Sequence, residues 1–275
     1  MMRWPRFVRT PQGVVGLAML AFVLLVAFVG PLIAPHSIEE PIGAPGQSPG
    51  AGALLGTDFL GRDVLSRVLH GGVSVLGLSI TATVLTYIVG ITVGLIAGYS
   101  RSLVDPLLMR FVDLMLSFPA LLLLLVLVTG AGSGVGILIL GVVLVMFPGV
   151  ARIVRTSTLE ASVKGYVEAA VMRGERPSAI LTREILPNII SFVLADVGIR
   201  FSAAIIFIAS LNYLSLGLKP PAADWALMIA ENREILSSNV WGVLAPAIML
   251  GLLTISVNLL GDAYARTLGR SRGRA

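Results

Sequence analysis

The chain has 275 residues, of which 56% are hydrophobic and only 13% are charged, and its mean hydropathy is +0.93. Soluble domains carry about 25% charged residues, so this composition excludes an ordinary soluble protein. Several apolar runs reach roughly 20 residues, the length that a helix needs to cross a hydrocarbon core about 30 Å thick. Because the runs are continuous rather than alternating, they predict membrane-spanning helices and not the strands of a membrane barrel.

The charge and the residue types exclude further classes of function. The formal net charge is +5, but the basic residues lie beside the ends of the apolar runs, where positive-inside topology explains them better than nucleic-acid binding. The chain has no cysteine, which excludes disulfides, thiol chemistry and cysteine-based metal sites. His36 and His70 are too few for a histidine-based metal cluster.

The first span is predicted over 14–34, after a short basic head at 1–13. This arrangement resembles a signal peptide, but the run is too long and lacks a clean small-residue cleavage site, so we expect a retained span. Residues 36–57 are rich in proline and glycine and predict an extramembrane loop. Residues 63–70 have apolar side chains at helical spacing, so we expect an amphipathic helix lying at the membrane interface.

The second span is predicted over 74–99 and contains a repeat of small residues. Gly90, Gly94 and Gly98 are four apart and lie on one helix face, which suits close helix–helix packing. Packing within the bundle is the favoured interpretation, and a homodimer face is the alternative.

The third span is predicted over 107–129 and the fourth over 135–154. Arg110 and Asp113 are three apart near the start of the third span, so they can pair on one helix face. Pro148-Gly149 predicts a kink near the end of the fourth span.

The run at 166–187 is the most charged in the sequence, and the polar element at 156–187 that contains it lies between two apolar blocks. It predicts two helices that meet at Gly174, the first over 156–173, because glycine readily adopts the backbone conformation of a tight turn. Pro177 suits the first turn of the second helix, and Pro187 is expected to end it. A small-surfaced elbow of this kind could enter a groove on a partner; a plain cytoplasmic hairpin is the alternative.

The fifth span is predicted over 189–213 and the sixth over 240–260, with a loop at 214–240 between them that carries a short helix at 224–236. Of the 20 Lys and Arg residues, 15 lie on one side of these six spans and 4 on the other. This imbalance places both termini and the 156–187 element in the cytoplasm.

Two pairs of polar residues fall inside spans. Asp196 and Arg200 are four apart in the fifth span, where charges are expensive and usually face a cavity or the bundle interior. A self-neutralising structural pair and a pair lining a transport pathway both remain open. Thr254 and Asn258 share a face of the sixth span, and hydrogen bonding between helices is their expected use.

The loops at 36–72 and 214–240 are expected to meet an extracytoplasmic binding partner. The short helix offers candidate contact residues, and an interfacial anchor is the alternative role for its tryptophan. These candidates are Asp224, Trp225, Glu231, Arg233 and Glu234.

Several motifs resemble those of ABC-importer permeases. The run from Glu168 through Gly174 to Pro187 is similar to the EAA signature, E-A-A-x3-G-x9-I-x-L-P, with Glu184 where that pattern has isoleucine. L-G-T-D-F-L-G-R-D-V-L-S-R at 55–67, L-S-L-G-L-K-P-P at 214–221 and N-L-L-G-D at 258–262 are similar to the C-type subunit of dipeptide and oligopeptide permeases.

The resemblance implies an all-α membrane protein with six transmembrane helices, in the type I importer (MetI-like) permease fold with a cytoplasmic coupling helix. In that family the EAA loop sits in a cleft of a cytoplasmic ATPase. The positions that match are Glu168, Ala169, Ala170, Gly174, Leu186 and Pro187. The chain has no G-x-x-x-x-G-K-[ST] phosphate-binding loop, so ATP and magnesium would be bound by partner subunits and this chain would not be catalytic.

The implied function is that of a permease subunit of an ATP-driven importer in the bacterial cytoplasmic (inner) membrane. The implied partners are a homologous permease, two ABC ATPases and an extracytoplasmic substrate-binding protein. Di- and oligopeptides are the expected cargo, with nickel or glutathione as alternatives; an ATP-independent transporter or a membrane scaffold are the alternative classes. We divide the chain into 1–72 (tail, first span and external loop), 73–265 (five-helix core containing 156–187) and 266–275 (basic cytoplasmic tail).

Overall fold

The computed structural model describes residues 10–50, 52–100, 102–132 and 134–272, and for 265–272 it describes only the backbone. The basic residues of the N-terminal head lie outside the described residues. Within these ranges the chain is helical, with isolated bridges in the first loop and no strand. The helices are α1 (Pro11–Ile33), α2 (Val64–Tyr99), α3 (Val104–Ser117), α4 (Ala120–Ala131), α5 (Val135–Ser162), α6 (Gly165–Met172), α7 (Pro177–Ala179), a π-helical turn (Ile180–Ile185), α8 (Leu186–Leu194), α9 (Val197–Tyr213), α10 (Trp225–Asn232), a 3-10 turn (Arg233–Ile235) and α11 (Trp241–Arg272).

Four of these helices are long and apolar enough to cross a membrane on their own: α1, α2, α5 and the Trp241–Tyr264 part of α11. Two further pairs have the required length and composition only together. The α3–α4 pair is bent by 94°, and the pair formed by Pro177–Leu194 and α9 is bent by 62°. The described residues therefore provide four spans, or up to six if each bent pair is one span.

The helix predicted to lie at the interface over 63–70 is wrong, because it is the first part of α2. Asp63 caps α2 by accepting the Ser66 backbone N–H, and the helix then continues for 36 residues without a break. Gly71 and Gly72 do not interrupt it, because other helices fill the space beside them. A Cβ on Gly71 would lie 2.6 Å from the Trp225 ring, and one on Gly72 would lie 2.6 Å from the Ala27 Cβ.

The glycine repeat of α2 packs against α5, as the favoured interpretation predicts. A Cβ on Gly90 would lie 2.6 Å from the Val150 Cβ, and one on Gly94 would lie 2.6 Å from the Val154 Cβ. A Cβ on Gly98 would lie 2.7 Å from the backbone carbonyl oxygen of Arg155. These faces are occupied within the chain, so the homodimer alternative is not needed to explain them.

The third span predicted over 107–129 is not one continuous helix in the structure. α3 ends at Ser117, and Phe118 is extended (φ −90°, ψ 140°) before Pro119, because the residue before a proline disfavours the helical conformation. The predicted pairing of Arg110 with Asp113 is also replaced. Asp113 accepts a hydrogen bond from the Arg152 guanidinium of α5 at 2.6 Å.

α5 runs 28 residues and continues through Pro148 to Ser162, beyond the predicted end of the fourth span at 154. The single helix predicted over 156–173 is consequently wrong. Its first part belongs to α5, and a break at Val163 and Lys164 separates it from α6.

The core is built around α2 and α5. One apolar cluster joins α2 to α1, α9, α10 and α11, a second joins α2 and α5 to α6 and α8, and a third joins them to α4 and α9. α2 and α5 therefore position the loops at 34–63 and 214–224 at one end of the bundle and the polar element at the other.

Candidate coupling element and pathway residues

α6 carries the E-A-A tripeptide and is fixed to the bundle by one face. Val167 and Ala170 are buried in the same cluster as Leu95 of α2 and Val154 of α5. Glu168 and Ala169 lie on the exposed side. The tripeptide therefore has two surface positions and one, Ala170, whose methyl group packs inward and holds the helix in place.

Gly174 closes α6 with a glycine turn that the sequence predicts. Its φ is +72°, a left-handed conformation that costs other residues about 1–2 kcal/mol. The Gly174 N–H donates to the Val171 carbonyl at 2.9 Å, and the Glu175 N–H donates to the Ala170 carbonyl at 3.2 Å. This pair of bonds is the Schellman closure of a helix end. The turn exposes Gly174 and directs the chain into α7.

The second helix of the element does not end at Pro187, and that prediction is wrong. Pro177 begins α7 as predicted, and the chain remains helical through the π-helical turn into α8. The Leu186 N–H donates to the Leu181 carbonyl, five residues earlier. Pro187 has no backbone N–H to donate to the helix, and the π turn just before it accommodates this missing hydrogen bond. Pro187 is exposed and Leu186 is half-buried.

A groove of about 830 Å³ lies beside α6. The ends of α2 and α5 form one wall, and α6 and Pro177 form the other. Several large apolar side chains at its rim are exposed, with Met172 at 89% and Val171 at 51%. Apolar side chains exposed on a polar extramembrane element mark a contact surface.

Asp196 and Arg200 form the ion pair that their spacing predicts. The Arg200 Nε donates to the Asp196 Oδ2 at 2.6 Å, and the two side chains are 25% and 21% exposed for Asp196 and Arg200, respectively. The pair lies at the break between α8 and α9, and the guanidinium covers Gly149 of α5, where a Cβ would lie 2.5 Å from Nη1.

A cavity of about 680 Å³ borders Asp196. It lies between the C-terminal part of α5 and α8, and its polar lining includes Arg152, Glu160 and Lys164. Asp196 is thus both neutralised by Arg200 and in contact with a polar cavity, so the structural and the pathway interpretations of the pair are compatible.

The loop between α1 and α2, together with the start of α2 and α10, holds a cluster of buried charges that the sequence did not predict. The Arg62 Nε donates to Asp58 at 2.6 Å, and the Arg67 Nη2 donates to Glu231 of α10 at 2.8 Å. All four side chains are at most 6% exposed. Burial raises the pKa of the Glu231 carboxyl, and the Arg67 and Arg62 charges oppose that rise. The R-D-V-L-S-R run was the available signal, because it places Arg62 just before the start of α2 and Arg67 in the first turn of that otherwise apolar helix.

This cluster corrects the contact surface predicted for α10. Asp224 and Trp225 are fully buried. Asp224 caps α10 by accepting the Ala226 and Leu227 N–H groups, and the Trp225 Nε1 donates to the Val68 carbonyl at 2.8 Å. Trp225 is therefore neither a binding-protein contact nor an interfacial anchor. Arg233 and Glu234 remain exposed.

The interhelical hydrogen bonding predicted for the sixth span is wrong for Thr254. Its hydroxyl donates to the Leu250 carbonyl of its own helix at 2.9 Å rather than to another helix.

Family models match nearly the whole chain. Residues 90–271 match the binding-protein-dependent transport system inner membrane component, and residues 2–49 match the N-terminal transmembrane domain of oligopeptide transport permease C. The chain belongs to this transport family. The permease has the all-helical, MetI-like fold of ABC permeases.

Named relatives cover the permease from end to end. The di/tripeptide transport system permease protein DppC of Pseudomonas aeruginosa is 32% identical over 96% of this chain and 90% of that protein. The glutathione transport system permease protein GsiD of Pectobacterium atrosepticum is 32% identical over 96% of this chain and 89% of that protein. A solved structure, titled as an amino acid ABC transporter with histidines, resembles the permease with a TM-score of 0.56 and 18% identity, over 73% of this chain and 94% of that one. At this identity the structural match speaks for the fold alone.

Proposed function

We propose that this permease forms half of the translocation pathway of an ATP-driven importer of di- and oligopeptides. The observation that carries the proposal is the exposed α6–Gly174 elbow on a chain whose family and full-length relatives belong to binding-protein-dependent peptide transport. Peptides are preferred as cargo because one relative is named for di/tripeptides and another for glutathione, itself a peptide. Nickel is the alternative cargo.

The proposed complex contains a second, homologous permease, two ABC ATPases and an extracytoplasmic binding protein in the bacterial inner membrane. In the proposed topology each bent pair is one span, so six spans cross the bilayer and both termini lie in the cytoplasm. The lysine and arginine imbalance supports this orientation. The proposed organisation keeps the parts 1–72, 73–265 and 266–275, although the first boundary now falls inside α2.

α6 is the proposed coupling helix. Glu168, Ala169, Gly174 and Pro187 are exposed and would contact the ATPase, with the apolar groove beside α6 receiving part of its surface. Ala170 is buried and Leu186 is half-buried, so they would hold the element against the bundle. This division of roles follows from side-chain exposure.

Transport by the purified complex in proteoliposomes tests the function. Uptake of a labelled dipeptide should require the binding protein outside and ATP on the ATPase side, and unlabelled glutathione and nickel should be compared as competitors. Uptake driven by an ion gradient without ATP would support an ATP-independent transporter. Bound ATPase without substrate-stimulated hydrolysis or uptake would support a scaffold.

Asp196 and Arg200 are the proposed pathway residues. Replacing them together, as Asp196→Asn with Arg200→Gln, removes both charges and keeps the side-chain sizes similar. Peptide uptake should fall while the complex still assembles. Normal uptake by the double variant would show that the pair is structural only.

A further inference from the structure

Two ion pairs connect α3 to α5. Arg155 of α5 holds the carboxylate of Asp105 with two bonds, from Nε to Oδ1 and from Nη2 to Oδ2, each 2.6 Å long. Arg152, one turn earlier on α5, donates to Asp113 at 2.6 Å. A fork of two parallel bonds is the strongest geometry available to arginine and a carboxylate, and it fixes orientation as well as distance.

α3 has little else to hold it against α5. Of its 14 residues, all of them described, only Val112 is buried, where it packs against Phe147 and Ala151. Phe111 stacks on Phe147 with ring centroids 6.3 Å apart. Leu107 on another face of α3 is 71% exposed. Because the apolar contact is small, the ion pairs decide how firmly α3 is attached.

α5 is itself attached to the proposed coupling helix. It is one continuous helix of 28 residues, and only Val163 and Lys164 separate it from α6. Ala161 of α5 and Val167 of α6 are buried in the same apolar cluster. A displacement of α6 is therefore passed to α5, and α5 presents Arg155 and Arg152 on its cytoplasmic part.

We propose that Asp105 and Arg155 are positioning residues that make the bent α3–α4 pair follow α5 when the ATPase moves α6. This inference rests on the proposed function, because it assigns a path for the motion of that importer. Without the link, α6 and α5 would still move with the ATPase, but α3 would lag and the transport step would be lost. Transport would then be uncoupled from ATP hydrolysis.

The two pairs should contribute unequally. The side chains of Asp105 and Arg155 are 18% and 31% exposed, whereas those of Asp113 and Arg152 are 59% and 54% exposed. Arg152 also borders the polar cavity between α5 and α8. More than half of each side chain in the Asp113–Arg152 pair is exposed, so this pair is expected to restrain α3 less than the Asp105–Arg155 pair does. Asp113→Asn is therefore the matched control for Asp105→Asn.

The test measures peptide uptake and ATP hydrolysis in the same proteoliposomes, with the complete complex. In Asp105→Asn and Arg155→Gln the number of peptides imported per ATP should fall about tenfold, and in Asp113→Asn by less than about threefold. The reversed pair, Asp105→Arg with Arg155→Asp, should recover most of the ratio. A ratio that stays constant in both single variants, or a reversed pair as defective as they are, would overturn the inference.

A distance measurement tests, without a transport assay, whether the Asp105–Arg155 pair holds α3 against α5. The chain has no native cysteine, so spin labels can be placed at Leu107→Cys on α3 and Leu140→Cys on α5, both of which are exposed. The distance distribution in the assembled complex should be narrow for the otherwise native chain and for the reversed pair, and broad for Asp105→Asn. An equally narrow distribution in Asp105→Asn would refute the link. Absence of ATP-driven uptake by the native complex would instead refute the proposed function, and the distances would still decide the link.

Discussion

Replacing Gly94 with alanine tests the packing of α2 against α5 most directly. The new Cβ would lie 2.6 Å from the Val154 Cβ and 2.7 Å from the Ala151 carbonyl oxygen. Neither atom can rotate away, because one is the first atom of a side chain and the other is backbone, so the two helices must separate. Overpacking of this kind costs about 1–3 kcal/mol, and the upper end applies here. Alanine recovers about 1 kcal/mol through its helix propensity. The net expected loss is about 2 kcal/mol.

Gly77 provides the control within the same helix, because a Cβ there meets nothing within 4 Å. Thermal unfolding of the detergent-solubilised complex should place Gly94→Ala about 4–8 °C below the native protein, on the scale that relates free energy to midpoint for chains of 150–250 residues. Gly77→Ala should unfold at the native temperature or slightly above it. Equal midpoints for the two variants would show that α2 and α5 do not approach as closely as described and would reopen the homodimer interpretation.

Two further predictions concern the two ends of the bundle. At Gly174 the φ is +72° and the position that a Cβ would occupy is open. The Gly174→Asn variant should retain co-purification with the ATPase, Gly174→Ala should weaken it about 5- to 30-fold through backbone strain of about 1–2 kcal/mol, and Gly174→Pro should abolish it. Equal retention of the ATPase by all three variants would show that the turn is not required. At the other end, where α10 lies, Arg67→Met leaves the buried carboxylates of Glu231 and Asp58 to share one arginine, Arg62, instead of two. This change should cost about 3–5 kcal/mol, seen as loss of the monodisperse complex in size-exclusion chromatography. The exposed Arg233→Met should keep the complex monodisperse, and matching profiles for the two variants would contradict the buried ion cluster.

The sequence predicted the general architecture correctly because membrane insertion depends mainly on local hydropathy. Apolar length is read along a single chain segment, so α1, α2, α5 and α11 could be located without tertiary information. The glycine turn at Gly174 was predictable for a similar reason, because left-handed backbone strongly favours one residue type. The match of the E-A-A signature and three further motifs indicated the family, which the comparisons confirm.

The errors have a different physical origin. The residues at 63–70 have an amphipathic pattern, but their polar face meets α10 and the external loop rather than water, so a pattern typical of a surface helix belongs to a buried one. Pro119 and Pro187 look equivalent in the sequence. The first ends a helix and the second follows a π turn that keeps the helix intact, and only the surrounding packing distinguishes these outcomes.

Ion-pair partners were decided by the tertiary structure as well. Asp196 and Arg200 were predictable because one helix turn brings them together. Asp113 has Arg110 nearby on its own helix but pairs with Arg152, which is 39 residues away in the sequence. The reason is that α5 packs against α3 and brings the Arg152 guanidinium to Asp113. The sequence alone therefore determined which segments are apolar enough to span a membrane and which element is polar, since both depend on local composition. The crossing of α3, α5 and α6 determined which charges meet, and hence how motion at the elbow could reach the membrane.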